Sequence, residues 1–339
     1  MNGPLVVVGD LLLDREVHGT VDRLCPEAPV PVLAERSTVD RPGGAGLAAL
    51  FAAQDADVVL VAAVSADAAG ERLRELLAQA GVRLVAVPLH GGTPEKIRLR
   101  CGGHLLLRLD RGDGPGTIGG VPAPALAAVR SAGAVLVSDY GRGITSHPQL
   151  RAALTERAPR VPVVWDPHPK GAPPVGGTRL VTPNRAEAAG FVARADAAVV
   201  PNGNGHRHNG NGHAAPAPAD SELAGSELAD AAGAAVRLRR VWGAGAVVVT
   251  VAERGAVLSD GERPPLLVPA PGPASGDSCG AGDRFASTAL AALAGGAPVL
   301  EAVTTAVTAA TAYVAAGGAL TLRFQRDRPA DRERSGQIT

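Results

Sequence analysis

The chain has 339 residues, enough for one large α/β domain or two small ones. Lys plus Arg and Asp plus Glu both number 33. The resulting zero formal charge argues against nucleic acid or a charged membrane surface as partner. The three cysteines, Cys25, Cys101 and Cys279, are widely spaced. They form neither a disulfide framework nor a zinc pattern and suit a reducing compartment. No apolar run approaches the ~18 residues of a membrane span. The N-terminus has no basic stretch leading into a signal-length apolar segment, so a soluble, cytoplasmic protein is expected.

Residues 5–8 are a continuous apolar run ending in Gly9-Asp10, the pattern of a buried parallel strand with a ligand at its carboxyl end. Asp14 follows closely. Over 16–36, Val30, Val32 and Leu33 alternate with Pro26, Pro29 and Pro31. Proline has no N–H to give a central ladder, so this segment predicts an edge strand or a small separate sheet. Arg41-Pro42-Gly43-Gly44 opens a helix over 45–54. A strand over 58–64, a helix over 68–80 and a strand over 83–87 come next. Residues 96–110 read as two short strands around Gly102-Gly103, a hairpin able to complete the small sheet. A helix over 122–131 leads to a strand over 134–138, which ends in Asp139-Tyr140-Gly141-Arg142-Gly143. A helix over 148–157 and a strand over 161–165, ending in Asp166, follow. A strand over 179–181 ends in Thr182-Pro183-Asn184, where another helix starts. Strands alternating with helices predict a parallel sheet covered on both faces.

Residues 193–220 carry no apolar period and read as a disordered insert. His206, His208 and His213 within it are weak metal candidates, since polar histidine-bearing linkers are usually only linkers. A helix over 221–242, strands over 246–251, 256–258 and 266–268, and helices from Phe285 and over 299–316 complete the pattern. The charged end, 326–339, is expected to fray.

Gly280-Ala281-Gly282-Asp283 is where chemistry concentrates. Glycines permit a sharp turn and close approach to a ligand. A helix start directs unpaired N–H groups and the positive end of its dipole at an anion. A carboxylate beside an anion site repels the anion unless it has a task. Taking a proton from an attacking hydroxyl next to a phosphate in transfer is such a task. The competing explanation is a glycine turn whose Asp caps the helix. Asp10, Asp14, Asp139, Asp166, Asn184 and Asp283 all fall at expected strand ends, the layout of an open α/β active site.

These residues also carry a resemblance. Asp277-Ser278-Cys279-Gly280-Ala281-Gly282-Asp283 resembles the D-T-T-G-A-G-D signature of the ribokinase-like (PfkB) sugar kinases. Gly43-Gly44 resembles that family's glycine pair, and Asn184 with Glu187 its N-x-x-E motif. The string Pro26-Glu27-Ala28-Pro29-Val30-Pro31-Val32 is similar to the narrower heptose 7-phosphate kinases. So are Lys96-Ile97-Arg98, Arg108-Leu109-Asp110 and Ser138-Asp139-Tyr140-Gly141-Arg142-Gly143. The resemblance implies a three-layer α/β/α domain over 1–325, with a small β-sheet lid formed by about 14–38 and 94–112. It implies ATP-dependent phosphorylation of C1 of D-glycero-D-manno-heptose 7-phosphate, with Mg²⁺ and room for a monovalent cation. Such kinases are often fused to a nucleotidylyltransferase; only the kinase step is expected here. Asp283 would be the base, and the N–H groups of Gly280, Ala281 and Gly282 the anion hole. Asn184 and Glu187 would hold hydrated Mg²⁺ and phosphate. Asn184, Thr250, Glu253, Gly255, Gly280 and Gly282 would line the nucleotide. Asp14, Gly43, Gly44 and Asp139 would contact the sugar. Lys96, Arg98, Arg108 and Arg142 would meet its phosphate, though each basic residue is equally readable as a solvated strand face. A homodimer clasped through the lids is implied.

Two positions depart from the family pattern. Leu47 stands where an asparagine usually contacts the sugar, and Val307 where one often lies near adenine. A kinase for another sugar therefore stays open, as does a sugar- or nucleotide-sensing protein that has lost turnover.

Overall fold

The computed structural model describes residues 3–112, 116–199 and 220–321. Its centre is β1 (Leu5–Gly9), every residue of which is buried. β1 pairs in parallel with β4 (Val58–Val64) on one side and β9 (Ala134–Ser138) on the other. Beyond β9 the sheet continues through β10 (Val163–Asp166), β11 (Leu180–Val181) and β12 (Ala246–Thr250), all parallel. It closes antiparallel with β13 (Gly255–Ser259) and β14 (Leu266–Pro269). Beyond β4 lie β5 (Arg83–His90), parallel, and the two-residue β8 (Thr117–Ile118), antiparallel. The ten strands run in the order β14-β13-β12-β11-β10-β9-β1-β4-β5-β8.

The apolar strand runs are explained by helices on both faces. Leu5 and Val7 point into one core with α1 (Ala45–Ala52), α2 (Ala68–Gln79), α7 (Ala281–Ala294) and α8 (Val299–Ala315). Val6 and Val8 point into the other, with α3 (Ala123–Ser131), α4 (Pro148–Arg157), α5 (Arg185–Val199) and α6 (Asp220–Trp242). This is the period of two expected of a strand. Each fully buried Val or Leu contributes roughly 1.5–3 kcal/mol relative to exposure.

A second sheet has the order β3-β2-β6-β7. It consists of β2 (Leu11–Cys25), β3 (Ala28–Gly44), β6 (Glu95–Cys101) and β7 (His104–Arg111). Pro29, Pro31 and Pro42 all lie on β3, an edge strand, where a missing N–H breaks no central ladder. β2 and β3 are longer than the sequence suggests. Their inner ends, Leu11 to Leu13 and Asp40 to Gly44, are buried in the body of the molecule, and the outer ends project.

Two expectations need correction. Asp14 lies within β2 rather than at a strand end, and Asp283 lies in the first turn of α7. The expected insert, 193–220, is helical at both ends, where α5 reaches Val199 and α6 begins at Asp220. The rest of it, with the three candidate histidines, and the tail 326–339 lie outside the described residues.

Candidate active site

α7 is capped at its N-terminus by Gly280, whose φ of +84° is a conformation that only glycine adopts without strain. A Cβ there would lie 2.6 Å from Leu47 Cδ2 and 3.0 Å from the Tyr313 hydroxyl. The turn before it is held from both directions. Cys279 N–H donates to Asp277 Oδ1 at 3.0 Å, and the Tyr313 hydroxyl donates to Cys279 O at 2.9 Å. Ala281 N–H is taken by Ser278 O. Helix geometry leaves the next N–H groups, those of Gly282 and Asp283, without intrahelical partners.

Asp283 is 4% exposed. The Tyr140 hydroxyl donates to its Oδ2 at 2.8 Å, and Ser138 Oγ stands 3.5 Å from Oδ1, long for a hydrogen bond. Burial pushes this carboxyl up to about 7. The Tyr140 hydrogen bond opposes the rise, the charge of Asp14 adds to it, and Ser138 and Lys96 oppose it. A carboxyl that ionises near neutrality in a buried site is suited to general-base work.

Asp283 lines neither of two clefts, but its chain neighbour Gly282 borders the first and its hydrogen-bond partner Tyr140 the second. The first, about 320 Å³, is lined by Thr250, Glu253, Gly255, Ala281, Gly282 and Val307, among others. Four of the six residues expected at the nucleotide, Thr250, Glu253, Gly255 and Gly282, come together here with Val307, while Gly280 does not line the cleft. Asn184 is one step away, bridged to Thr250. Beside Thr250, Ala252 has φ +52°, a non-glycine residue in left-handed backbone at the edge of this cleft.

The second cleft, about 700 Å³, is bounded by Asp10, Arg108, Tyr140, Arg142, His168 and Lys170, among others. Lys96 Nζ sits 5.7 Å from the centre of the Tyr140 ring. Burial holds the His168 imidazole below its usual range; the charge of Asp10 opposes this, and the nearby Lys170, Lys96 and Arg142 add to it. Arg98 is drawn elsewhere, into an ion pair with Asp14 at 2.8 Å. Asp14 in turn backs onto the glycine pair, since a Cβ on Gly43 would fall 2.3 Å from its Oδ2. Asp139 faces inward. Its carboxylate accepts from Gly141 N–H and Thr145 Oγ1, both at 2.7 Å, and burial pushes it up to about 6. Asp10 likewise accepts from the backbone of Tyr140, Arg142 and Ile144 and so shapes the 140–144 loop. Leu47 is buried in the core beneath Gly280 and borders neither cleft.

Asn184 and Glu187 form a reciprocal cap on α5. Asn184 N–H donates to Glu187 Oε2 at 2.9 Å, and Glu187 N–H to Asn184 Oδ1 at 3.0 Å. Burial raises the Glu187 carboxyl. Asp166, half-buried at the end of β10, is raised well above the carboxylate range by burial and by the charges of Asp283 and Glu187. A cation would relieve that repulsion. Among the described residues no group of three or more His, Cys, Asp and Glu side chains is placed to hold a metal directly. Asp166, Glu187 and Asn184 present oxygen donors, the kind that Mg²⁺ takes either directly or through its waters.

Tyr140, Ser138, His168 and Lys170 received no role from the sequence. Tyr140 and Ser138 belong to the Ser138–Gly143 string that is similar to the heptose kinases. His168 and Lys170 follow a strand end at Asp166, a place where cations could have drawn notice.

The architecture is that of a ribokinase-like α/β/α protein. Escherichia coli phosphofructokinase-2 superimposes with a TM-score of 0.63 at 19% identity, over 92% of this chain and 93% of that one. Ribokinase from Thermotoga maritima gives 0.62 at 17% identity, over 95% and 96%. Residues 218–323 match the pfkB family carbohydrate kinases. The bifunctional protein HldE of Streptomyces coelicolor is 51% identical over 317 residues, 93% of this chain and 61% of that protein. HldE of Caulobacter vibrioides is 35% identical, over 88% and 57%. The chain is thus similar to pfkB carbohydrate kinases over residues 218–323 and to HldE over most of its own length. It spans about three fifths of the length of the curated relatives it matches. No helix among the described residues is long and apolar enough to cross a membrane.

Proposed function

We propose that the chain is an ATP-dependent kinase for a phosphorylated sugar, acting on C1 of D-glycero-D-manno-heptose 7-phosphate to give the 1,7-bisphosphate. The observation that carries this reading is the second cleft, where Arg108, Arg142, Lys170 and His168 line the walls beside Tyr140, the partner of Asp283. A phosphate dianion suits this wall better than a neutral sugar or nucleoside does, since it can accept from the ammonium of Lys170, the guanidinium of Arg142, the Arg108 that Asp110 holds at 2.7 Å, and a His168 imidazole held toward its neutral form. The heptose assignment is supported by the string from Pro26 to Val32 and by the likeness to HldE.

In this reading ATP occupies the first cleft and the sugar the second. Asp283 takes the proton as the sugar oxygen attacks the γ-phosphorus. The bond from that phosphorus to the bridging oxygen of ADP breaks, and ADP leaves. The N–H groups at the start of α7 and its dipole stabilise the negative charge of the transferred group. When bound, Mg²⁺ would supply charge neutralisation on the phosphates, held through water by Asp166 and Glu187 beneath Asn184. The glycine pair and Asp14 contact sugar hydroxyls, and Asp139 and Asp10 hold the loop that frames them. The small sheet acts as a lid that excludes water, a competing acceptor.

A second copy is the proposed partner of that lid. Leu24, Val30, Leu105, Leu106, Leu107 and Leu109 are 41–60% exposed, all on the projecting strands. Such a band is characteristic of an interface. The Pro26–Val32 string lies at this tip, away from both clefts. Three free thiols fit a cytoplasmic setting.

The test is ADP release with ATP and Mg²⁺ across heptose 7-phosphate, fructose 6-phosphate, ribose and adenosine. Turnover is expected with heptose 7-phosphate, and Lys170→Ala should raise its KM about tenfold or more while sparing that of ATP. Preference for a neutral acceptor would refute the reading. Tight sugar binding with no turnover would favour a sensor.

A further inference from the structure

Tyr140 is held at four points. Its N–H donates to Asp10 Oδ2 at 2.9 Å. Its ring lies against the glycine pair, so that a Cβ on Gly44 would stand 3.4 Å from Cδ2. Lys96 Nζ covers the ring at 5.7 Å. The hydroxyl donates to Asp283 Oδ2 at 2.8 Å. The residue thus belongs to the wall of the sugar cleft and to the base at once. A carboxylate has two oxygens that rotate together about one bond. With Oδ2 held by a phenol that is itself held at backbone and ring, the direction of Oδ1 is set, and its own neighbour, Ser138 Oγ, is at 3.5 Å.

We propose that Tyr140 is the positioning residue of the phosphoryl transfer, holding Asp283 by Oδ2 so that Oδ1 faces the acceptor hydroxyl. This rests on the kinase reading above. The phenol has a second effect, because a hydrogen bond donated to a carboxylate favours its ionised form. It works against the burial that raises Asp283. The other groups facing Asp283 are Asp14 on β2, Lys96 on β6, Asp166 on β10 and Tyr313 on α8. None of them donates a hydrogen bond to it. The arrangement links substrate to chemistry, since the loop that frames the sugar also aims the base.

Two variants test it, Tyr140→Phe and replacement of Tyr140 by a fluorinated tyrosine, whose hydroxyl is the stronger donor. The first readout, independent of turnover, is the titration of the Asp283 carboxyl by carbon NMR. Tyr140→Phe should move it up by about one pH unit or more, and the fluorinated residue should move it down. In the second, the acidic limb of kcat/KM should follow the same two directions. The sugar phosphate titrates near pH 6 in every variant, so the comparison is between variants. In Tyr140→Phe, kcat should fall about tenfold or more with the sugar KM nearly unchanged. An unmoved carboxyl titration, or a kcat equal to or above wild type, would overturn the proposal; a higher kcat would mean that the phenol obstructs the acceptor. If wild-type protein phosphorylates no sugar, the kinase reading fails, and the NMR titration still decides whether Tyr140 controls Asp283.

Discussion

Replacing Asp283 by Asn removes an ionisable group while keeping its shape, and the Asn oxygen can still accept from Tyr140. Asp283 ionises at about 7 in place, against 3.8 for the unperturbed group. The difference, roughly three pH units, makes ionisation about 4 kcal/mol more costly in the folded protein. The sign follows from the raised value. Folded protein holds the proton more tightly, so the stability due to this group is fully present below about 4 and is lost as pH rises through about 7. Wild-type and Asp283→Asn proteins should therefore melt alike near pH 4. Their melting temperatures should separate as pH rises and reach a plateau above about pH 7, with the variant higher by up to roughly 8 °C. Turnover should fall about 10²–10⁴-fold, the usual contribution of a positioned base, with substrate binding retained. Thermal melts without ligand between about pH 4 and 9, paired with ADP release, make the measurement. A melting difference independent of pH would refute the burial argument, and wild-type turnover would refute the role of base.

Gly280→Ala should cost about 1–3 kcal/mol in stability and reduce turnover more than tenfold, read by melting and ADP release. Its Cβ meets Leu47 and Tyr313 in left-handed backbone. Leu107→Asp, at a β7 position that is 56% exposed, should yield monomers by sedimentation with the fold intact. Glu187→Gln keeps the reciprocal cap and should melt within about 0.5 kcal/mol of wild type, while the Mg²⁺ concentration for half-maximal rate rises. Glu187→Ala should lose both, with about 1 kcal/mol of stability.

Much of the fold was legible because its signals are local. The strands β4 and β9 were read to the residue, since unbroken apolar runs of that length have few other uses. The prolines of β3 pointed to an edge, and the edge is where they lie. The ends of β2 and β3 were not legible. Whether a polar residue such as Glu16 or Arg41 continues a strand depends on its partner, and these two meet in a buried ion pair at 2.7 Å. In the site, Gly280 and Asp283 were readable because a glycine before a helix followed by a carboxylate is a rare local pattern. Among the candidate cations, sequence treated Arg98 and Arg142 alike. Only the pairing of β2 with β6, which sets Asp14 beside Lys96 and near Arg98, separates them.

What the sequence determined by itself was a chain patterned for a covered parallel sheet and a candidate site (a glycine turn, a carboxylate and a helix start within four residues) whose chemistry came from the family resemblance. Those features act over one or two helical turns and need no distant partner to be recognised. The tertiary structure decided everything that depends on two remote segments meeting. Asp139 was a candidate sugar ligand and turned inward to hold its own loop. Lys170 and His168 came to the cleft wall from beyond β10. Tyr140 reached a carboxylate 143 positions away. The raised ionisation of Asp283 belongs to the same group, because desolvation is a property of what surrounds a side chain and the chain order does not record it.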